Sequence, residues 1–385
     1  MVLSALTGTT AAAATLPGTL ELALLTVGAL RRKRPPRAPR GPLGTLAVVV
    51  PAHDEAGGIA ACVASLRACP APAGGVRIVV VADNCTDDTA ARARAAGAEL
   101  LERRDPVARG KGFALEFAFD HVLSDPAVDA VVVVDADTKV LPNFLEVTAG
   151  AFAAGADATQ ARYLVSNPEQ DRLRNVAFLA FNVARPMARE RFGLSVGILG
   201  NGFGLHRRVL EALPYTARSV VEDLEYHLML VREGFAVRFL EDTAVAADLP
   251  TTKAAEATQR ARWEGGRMRM LRTHAPALLA EILRTGDRRL VEPLGELLLL
   301  PLATHVGLLG VTLLIPFPPT QLYAAASLGL VGAHVAASLK VAGATAEDVK
   351  ALAKAPLYVL GKARFLPSIL KASQKEQAWV RTARD

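Results

Sequence analysis

Lysine and arginine are absent from residues 1–30, cysteine occurs three times, and no Gly-x-x-x-x-Gly-Lys-Ser/Thr segment is present. A secretory signal carries its positive charge ahead of its apolar stretch, so residues 1–30 do not read as one. Here the charge follows, with six Lys or Arg among residues 31–40. Cys62, Cys69 and Cys85 are odd in number and lack metal-type spacing, which fits a reducing compartment and assigns them no chemistry. The third absence removes the phosphate cradle of a P-loop nucleotidase. Gly110-Lys111-Gly112 has neither the hydroxyl residue nor the earlier glycine of that motif.

What is abundant is apolar. The hydrophobic fraction is 51% and the net charge +6, with a mean hydropathy of +0.26, which places part of the chain in lipid. Residues 1–30 are expected to form a membrane helix, and the positive-inside rule sets residues 31–43 as a basic cytoplasmic linker. Such a cluster beside an apolar segment is attracted to anionic lipid, so the basic balance points to a membrane and not to nucleic acid. Pro17 and Glu21 count against the helix; a disordered segment or one lying at the interface is the alternative. Leu297–Phe317 and Leu322–Val341 are each long enough for a hydrocarbon core of about 30 Å. Arg284, Arg288 and Arg289 precede this pair and Lys340, Lys350 and Lys354 follow it. Both flanks then face the cytoplasm, which gives two membrane helices within 290–342 and a multi-pass protein of the inner (plasma) membrane. The competing reading is a pair of buried helices with Pro301, His305 and His334 inside. Residues 343–385, with Tyr358, Phe365 and Trp379, are expected to lie along the cytoplasmic face as an amphipathic tail.

Between these ends, residues 46–135 alternate short apolar runs with amphipathic helices, the pattern of an open, mostly parallel α/β sheet. Val131-Val132-Val133-Val134 runs straight into Asp135-Ala136-Asp137-Thr138. A run apolar at every position suits a strand buried on both faces, and ligands of such sheets gather at the carboxyl ends of the strands. Two carboxylates there suit Mg²⁺ or Mn²⁺ shared with a diphosphate, or merely an Asp-rich turn. The runs Leu46–Val50 and Arg77–Ala82 end in Pro51-Ala52-His53-Asp54-Glu55 and Asp83-Asn84-Cys85-Thr86-Asp87-Asp88, so their acids reach the same edge. Asp87 or Thr86 suits a cap for the next helix. A third strand is expected over 98–102, a helix over 142–154, a strand over 158–166 and a long helix from 168 to about 191. Gly200-Asn201-Gly202-Phe203-Gly204 fails the dinucleotide fingerprint, whose last glycine is here Leu205, and is expected as a glycine-rich turn. Ser219 and Glu222 have capping-box spacing, which explains Glu222 but not Asp223. On a helix from about 253 to 271, Gln259, Arg262 and Trp263 share a face.

These strand ends together resemble the family 2 inverting glycosyltransferases, whose nucleotide-sugar domain has the GT-A fold, Rossmann-like with a mostly parallel sheet. The resemblance covers about residues 44–275. It implies that Pro51, Ala52 and Glu55 form the first strand-end motif, that Asp83 contacts the nucleoside, and that Lys111 of Gly-Lys-Gly lies near the nucleotide. It implies further that Asp135 and Asp137 bind the metal and diphosphate and that Gly202 belongs to a flexible wall beside the donor sugar. Glu222 and Asp223 match a Thr/Ser-Glu-Asp motif with Val221 in place of the hydroxyl residue, and Asp223 is then the general base. Gln259, Arg262 and Trp263 match the Gln-x-x-Arg-Trp of the membrane-bound cellulose, chitin and hyaluronan synthases. The implied partners are a nucleotide-sugar, UDP by default, and a saccharide or lipid-linked acceptor.

Overall fold

The computed structural model describes residues 2–35, 37–250 and 252–362, without the side chains of residues 253, 254 and 260. Phe365 and Trp379 of the expected tail lie outside the described residues. Two compact units emerge: residues 34–168 with 194–250, and residues 2–33 with 169–193 and 252–362. Residues 169–193 and 252–275, within the stretch expected to be catalytic, group with the second unit.

The first unit is built on a sheet of eight described strands: β1 (Thr45–Ala52), β2 (Val76–Asp83), β3 (Glu99–Arg103), β4 (Val128–Val133), β5 (Lys139–Val140), β6 (Ala158–Val165), β7 (Phe203–His206) and β8 (Val237–Ala247). Their order is β3-β2-β1-β4-β7-β6-β8-β5. The β3-β2-β1-β4 half is parallel throughout. Beyond it the sheet is mixed, because β7 runs antiparallel to both β4 and β6 and β6 pairs parallel with β8. Phe203–His206 is thus a strand, so the glycine-rich turn, one of the two readings of residues 200–204, is confined to their first part.

Core positions follow from periodicity. Leu46, Val48 and Val50 of β1 alternate toward Ile59, Cys62, Val63 and Leu66, all on one face of helix Ile59–Arg67. Val132, Phe144, Leu145 and Phe152 continue the same cluster. Parallel pairing brings the carboxyl ends of β1, β2 and β4 to one edge, so strand direction alone gathers their acids there.

The second unit is helical. Expected as one helix from 168, its internal segment runs Arg172–Leu179, widens to a π-turn over Ala180–Ala184 and resumes at Arg185–Phe192. Pro186 has no N–H for the carbonyl four residues back, and the Arg185 N–H reaches five residues back to Ala180. Lys253–Thr285 extends well past the expected end, capped by the Thr252 side chain and closed by left-handed Gly286.

Val2–Leu30 and Pro318–Ala342 are long and apolar enough to cross a membrane. Leu297–Phe317 is not one straight span, contrary to expectation: helices Arg288–Leu298 and Leu302–Leu314 meet at 76°. Pro301 explains the break, since it lacks an N–H and disfavours helical backbone just before it. Glu21 is accommodated inside this unit, 2.7 Å from Arg189, which lies 2.7 Å from both Glu292 and Glu296. His305 and His334 are buried and meet Thr19 at 3.3 Å and Thr26 at 3.1 Å.

Candidate active site

The acidic edge of the sheet is organised by three loops. After β1, Asp54 takes a left-handed backbone (φ 52) and its carboxylate accepts the Thr86 N–H at 2.6 Å and the Asp87 N–H at 3.3 Å. Burial works against ionisation of Asp54, but hydrogen bonds from the Thr86 backbone and hydroxyl outweigh it, helped by His53, and hold this carboxyl below its ordinary value. The β1 and β2 loops are thereby tied together. Asp54, Cys85 and Asp87 come near enough for a cation, yet Asp87 already accepts from the Thr89 and Ala56 backbone. Asp88 precedes helix Thr89–Ala95 with no side-chain bond, and the Asp87 carboxylate takes the helix's first N–H, that of Thr89, at 2.9 Å, the capping role expected of Asp87. The Glu55 N–H bonds Thr89 Oγ1 at 2.8 Å, and the carbonyl of Ala52, which follows Pro51 in β1, accepts the Cys85 thiol at 3.4 Å. Asp83 is buried and paired with Arg103 at 2.7 Å.

The second loop follows β4. Asp135 Oδ1 lies 2.6 Å from Lys111 Nζ, and the same ammonium donates to the Gly200 carbonyl. Lys111 opens helix Lys111–Leu123. Burial alone depresses its pKa, but Asp135 foremost, then Glu222 and Asp223, raise it above the ordinary lysine value. Asp137 is half-buried on the same turn, whose Thr138 N–H closes onto the Asp135 carbonyl at 3.1 Å. Behind the turn, Cys62 donates its thiol to the Asp135 carbonyl at 3.4 Å, and burial pushes that thiol up to about 12. It is inert, as expected of an apolar packing residue.

The third loop carries Gly200 and Gly202, both left-handed at φ 76 and 69. A Cβ on Gly200 would lie 3.2 Å from Asp223 Oδ2, and one on Gly202 would meet Val245 at 2.8 Å. Loop and acid therefore touch. Asp223 stands in the first turn of helix Glu222–Arg232. Burial, then the neighbouring Glu222, push its carboxyl up to about 7, against the Leu224 N–H and Lys111. The expected capping box is absent: Val221 occupies the cap position with no side-chain bond, and the Arg218 and Ser219 N–H groups go to Glu225 instead. Glu222 is left half-buried beside Asp223.

Asp135, Asp137, Lys111, Gly202, Glu222 and Asp223 thus come from four segments to one edge. Sequence reading missed Asn201, fully buried, whose amide bonds both ends of the Asp135–Thr138 turn. Its only signal was a polar residue flanked by two glycines. Gln259, Arg262 and Trp263 belong to the helical unit. The Gln259 carbonyl oxygen accepts from Arg174 there, Trp263 is 41% exposed and Arg262 is half-buried.

A divalent cation is tested by the donor set. Asp135 and Asp137 offer hard oxygens one residue apart, and Mg²⁺ needs only one or two carboxylates when substrate phosphates complete its shell. The residues fit.

Residues 42–266 match the model of the glycosyltransferase like family 2. The structure is similar over 96% of this chain and 95% of the other to the mannosyltransferase PcManGT from Pyrobaculum calidifontis in complex with GDP-Man and Mn²⁺, at TM-score 0.57 and 18% identity. It also matches glucosyl-3-phosphoglycerate synthase from Mycobacterium tuberculosis in complex with Mn²⁺, UDP-Glc and phosphoglyceric acid, over 57% of this chain and 78% of that one, at TM-score 0.40 and 23% identity. The first likeness carries the fold; the second is too distant to carry an argument.

Proposed function

The chain belongs to glycosyltransferase family 2, and from that premise we propose that it is a membrane-bound inverting transferase moving a sugar from a nucleotide-sugar to a saccharide or lipid-linked acceptor. The observation that carries this reading is the meeting of Asp135, Gly200 and Asp223 around Lys111.

Asp135 and Asp137 would hold Mg²⁺ or Mn²⁺, which when bound neutralises charge on the departing nucleoside diphosphate. Lys111 adds positive charge on the same side. Asp223, with a pKa of about 7, is poised as a base near neutral pH. It takes the acceptor hydroxyl proton while the acceptor oxygen bonds to the anomeric carbon and the bond to the diphosphate oxygen breaks. One in-line displacement inverts that carbon. Asp83, Pro51, Ala52 and Glu55 line the nucleoside end by the family pattern. UDP is the default nucleotide, and the apolar helices with their flanking basic residues support a location in the inner membrane with the sheet unit in the cytoplasm.

The product is a polysaccharide or a glycoconjugate precursor. Among the described residues, two helices long enough to span, or three if the bent pair counts as one, are few to enclose a polymer channel. That favours the second reading, single addition to a lipid-linked acceptor. The test is metal-dependent diphosphate release from UDP-, GDP- and dTDP-sugars by the purified protein in lipid, followed by product length. Release abolished by Asp223→Asn supports transfer. A ladder of long chains would exclude single addition. If no donor is turned over across a broad acceptor panel, a sugar-nucleotide-binding scaffold replaces the enzyme.

A further inference from the structure

Asn201 is fully buried, as is Gln160 beneath it. Its side chain spans the Asp135–Thr138 turn: Oδ1 accepts the Asp135 N–H at 3.1 Å, and Nδ2 donates to Thr138 Oγ1 at 2.8 Å. The amide orientation is forced, because a backbone N–H can only donate. Gln160 anchors the loop from below, donating to the Asn201 carbonyl at 2.8 Å and accepting the Leu199 N–H at 2.8 Å. The next residue, Gly202, donates its N–H to the Val133 carbonyl at 2.9 Å, at the end of β4. On the other side of Asn201, the Gly200 carbonyl accepts Lys111 and its α-carbon faces Asp223. One loop therefore touches the acidic turn, the lysine and the carboxyl read as base.

We infer that Asn201 is a positioning residue, whose amide fixes both ends of the Asp135–Thr138 turn so that the two carboxylates are presented together to a divalent cation. Two like charges one residue apart repel, and Lys111 and the Cys62 thiol hold the turn at its Asp135 end, so a restraint that spans both ends has to come from another segment. The Asn201 amide supplies that restraint from a rigid, buried position, and hydrogen-bonded partners of this kind commonly set metal affinity by about 10–100-fold. The inference rests on the reading of Asp135 and Asp137 as metal ligands.

The experiment titrates Mn²⁺ into the full-length protein in detergent, with UDP and in parallel with GDP, and follows free Mn²⁺ by electron paramagnetic resonance. Asp135→Asn is expected to abolish the site. Asn201→Ala is expected to weaken Mn²⁺ about 10–100-fold. Thr138→Val, a near-isosteric change that spares the fold if Asn201→Ala does not, removes the bond from Asn201 Nδ2 together with the hydroxyl's own 3.4 Å bond to Asp137 Oδ1, and is expected to weaken Mn²⁺ about fivefold. Thr138→Ser keeps the hydroxyl and is expected to bind as wild type. The Asn201→Ala/Thr138→Val double variant is expected to lose less than the product of the two single losses, since the bond between the two side chains is already gone in Asn201→Ala; full multiplicativity would overturn the inference. Wild-type affinity in both single variants, with Asp135→Asn silent, would overturn the inference and leave the metal site standing. Wild-type affinity in Asp135→Asn would overturn the metal reading, and the inference with it.

Discussion

A carboxyl that loses water and gains a like-charged neighbour keeps its proton to higher pH, and Asp223, pushed up to about 7 by burial and Glu222, is such a group. As a base it must be ionised. We therefore expect kcat/KM to fall about tenfold per pH unit below about 7, and the limb to vanish in Asp223→Asn, whose turnover should drop by about 10²–10⁴. A pH–rate profile of both proteins checks this. The same shift works against folding. The folded chain holds this proton where the unfolded chain has already lost it, so the contribution to stability is greatest below the ordinary carboxylate pKa of about 3.9 and is lost as pH rises through about 7. At pH 8 Asp223→Asn should melt higher, by about 2–4 °C for each kcal/mol regained, with the gain shrinking toward pH 4. A variant melting lower at pH 8 would contradict that. Local chemistry of this kind was half legible: Asp223 stood out by its motif, while its neighbour Glu222 read as a cap, because capping spacing is met by chance and only the backbone shows where a helix starts.

Helices of the second unit are held by features that composition hides. Gly28 sits where a Cβ would come within 2.9 Å of Phe192, the Ala188 carbonyl and the Ala188 Cβ, so helix Val2–Leu30 lies directly on helix Arg185–Phe192. A small residue at the contact is what permits two helix backbones to approach this closely. Gly28→Leu should force the two apart and lower the melting temperature in detergent, whereas substitution at Gly329, with open space around it, should not. Arg189, fully buried, joins Glu21, Glu292 and Glu296 across three helices. Removing one partner of such a group leaves buried charge uncompensated, at a cost of about 3–5 kcal/mol. Arg189→Leu should therefore fail to fold or melt far below wild type by thermal scanning, and unchanged melting would show the network to be dispensable. Glu21 had read as evidence against a membrane helix. Hydropathy counts each charge as if alone, so its partners on distant segments could not enter that reading. The bend at Pro301 was missed for the opposite reason: a long apolar run satisfies the length test whether straight or broken.

For the protein as a whole, the charge flanking the apolar helices makes a checkable statement about sidedness. Protease added to inside-out membrane vesicles should cut within residues 44–250, and protease added to right-side-out spheroplasts should not; the reverse pattern would invert the proposed topology. The alternation of apolar runs and helices determined the α/β class from sequence alone, and the Val131–Asp137 run located the acidic strand end, because period and strand chemistry are local. The family followed from motifs that chain geometry keeps contiguous. Tertiary structure alone decided that the sheet becomes mixed past β4, that Phe203–His206 pairs as a strand, and that Asn201 braces the acidic turn. Each depends on which distant backbone groups meet, and hydrogen-bond partners separated by scores of residues leave no periodic trace in the chain.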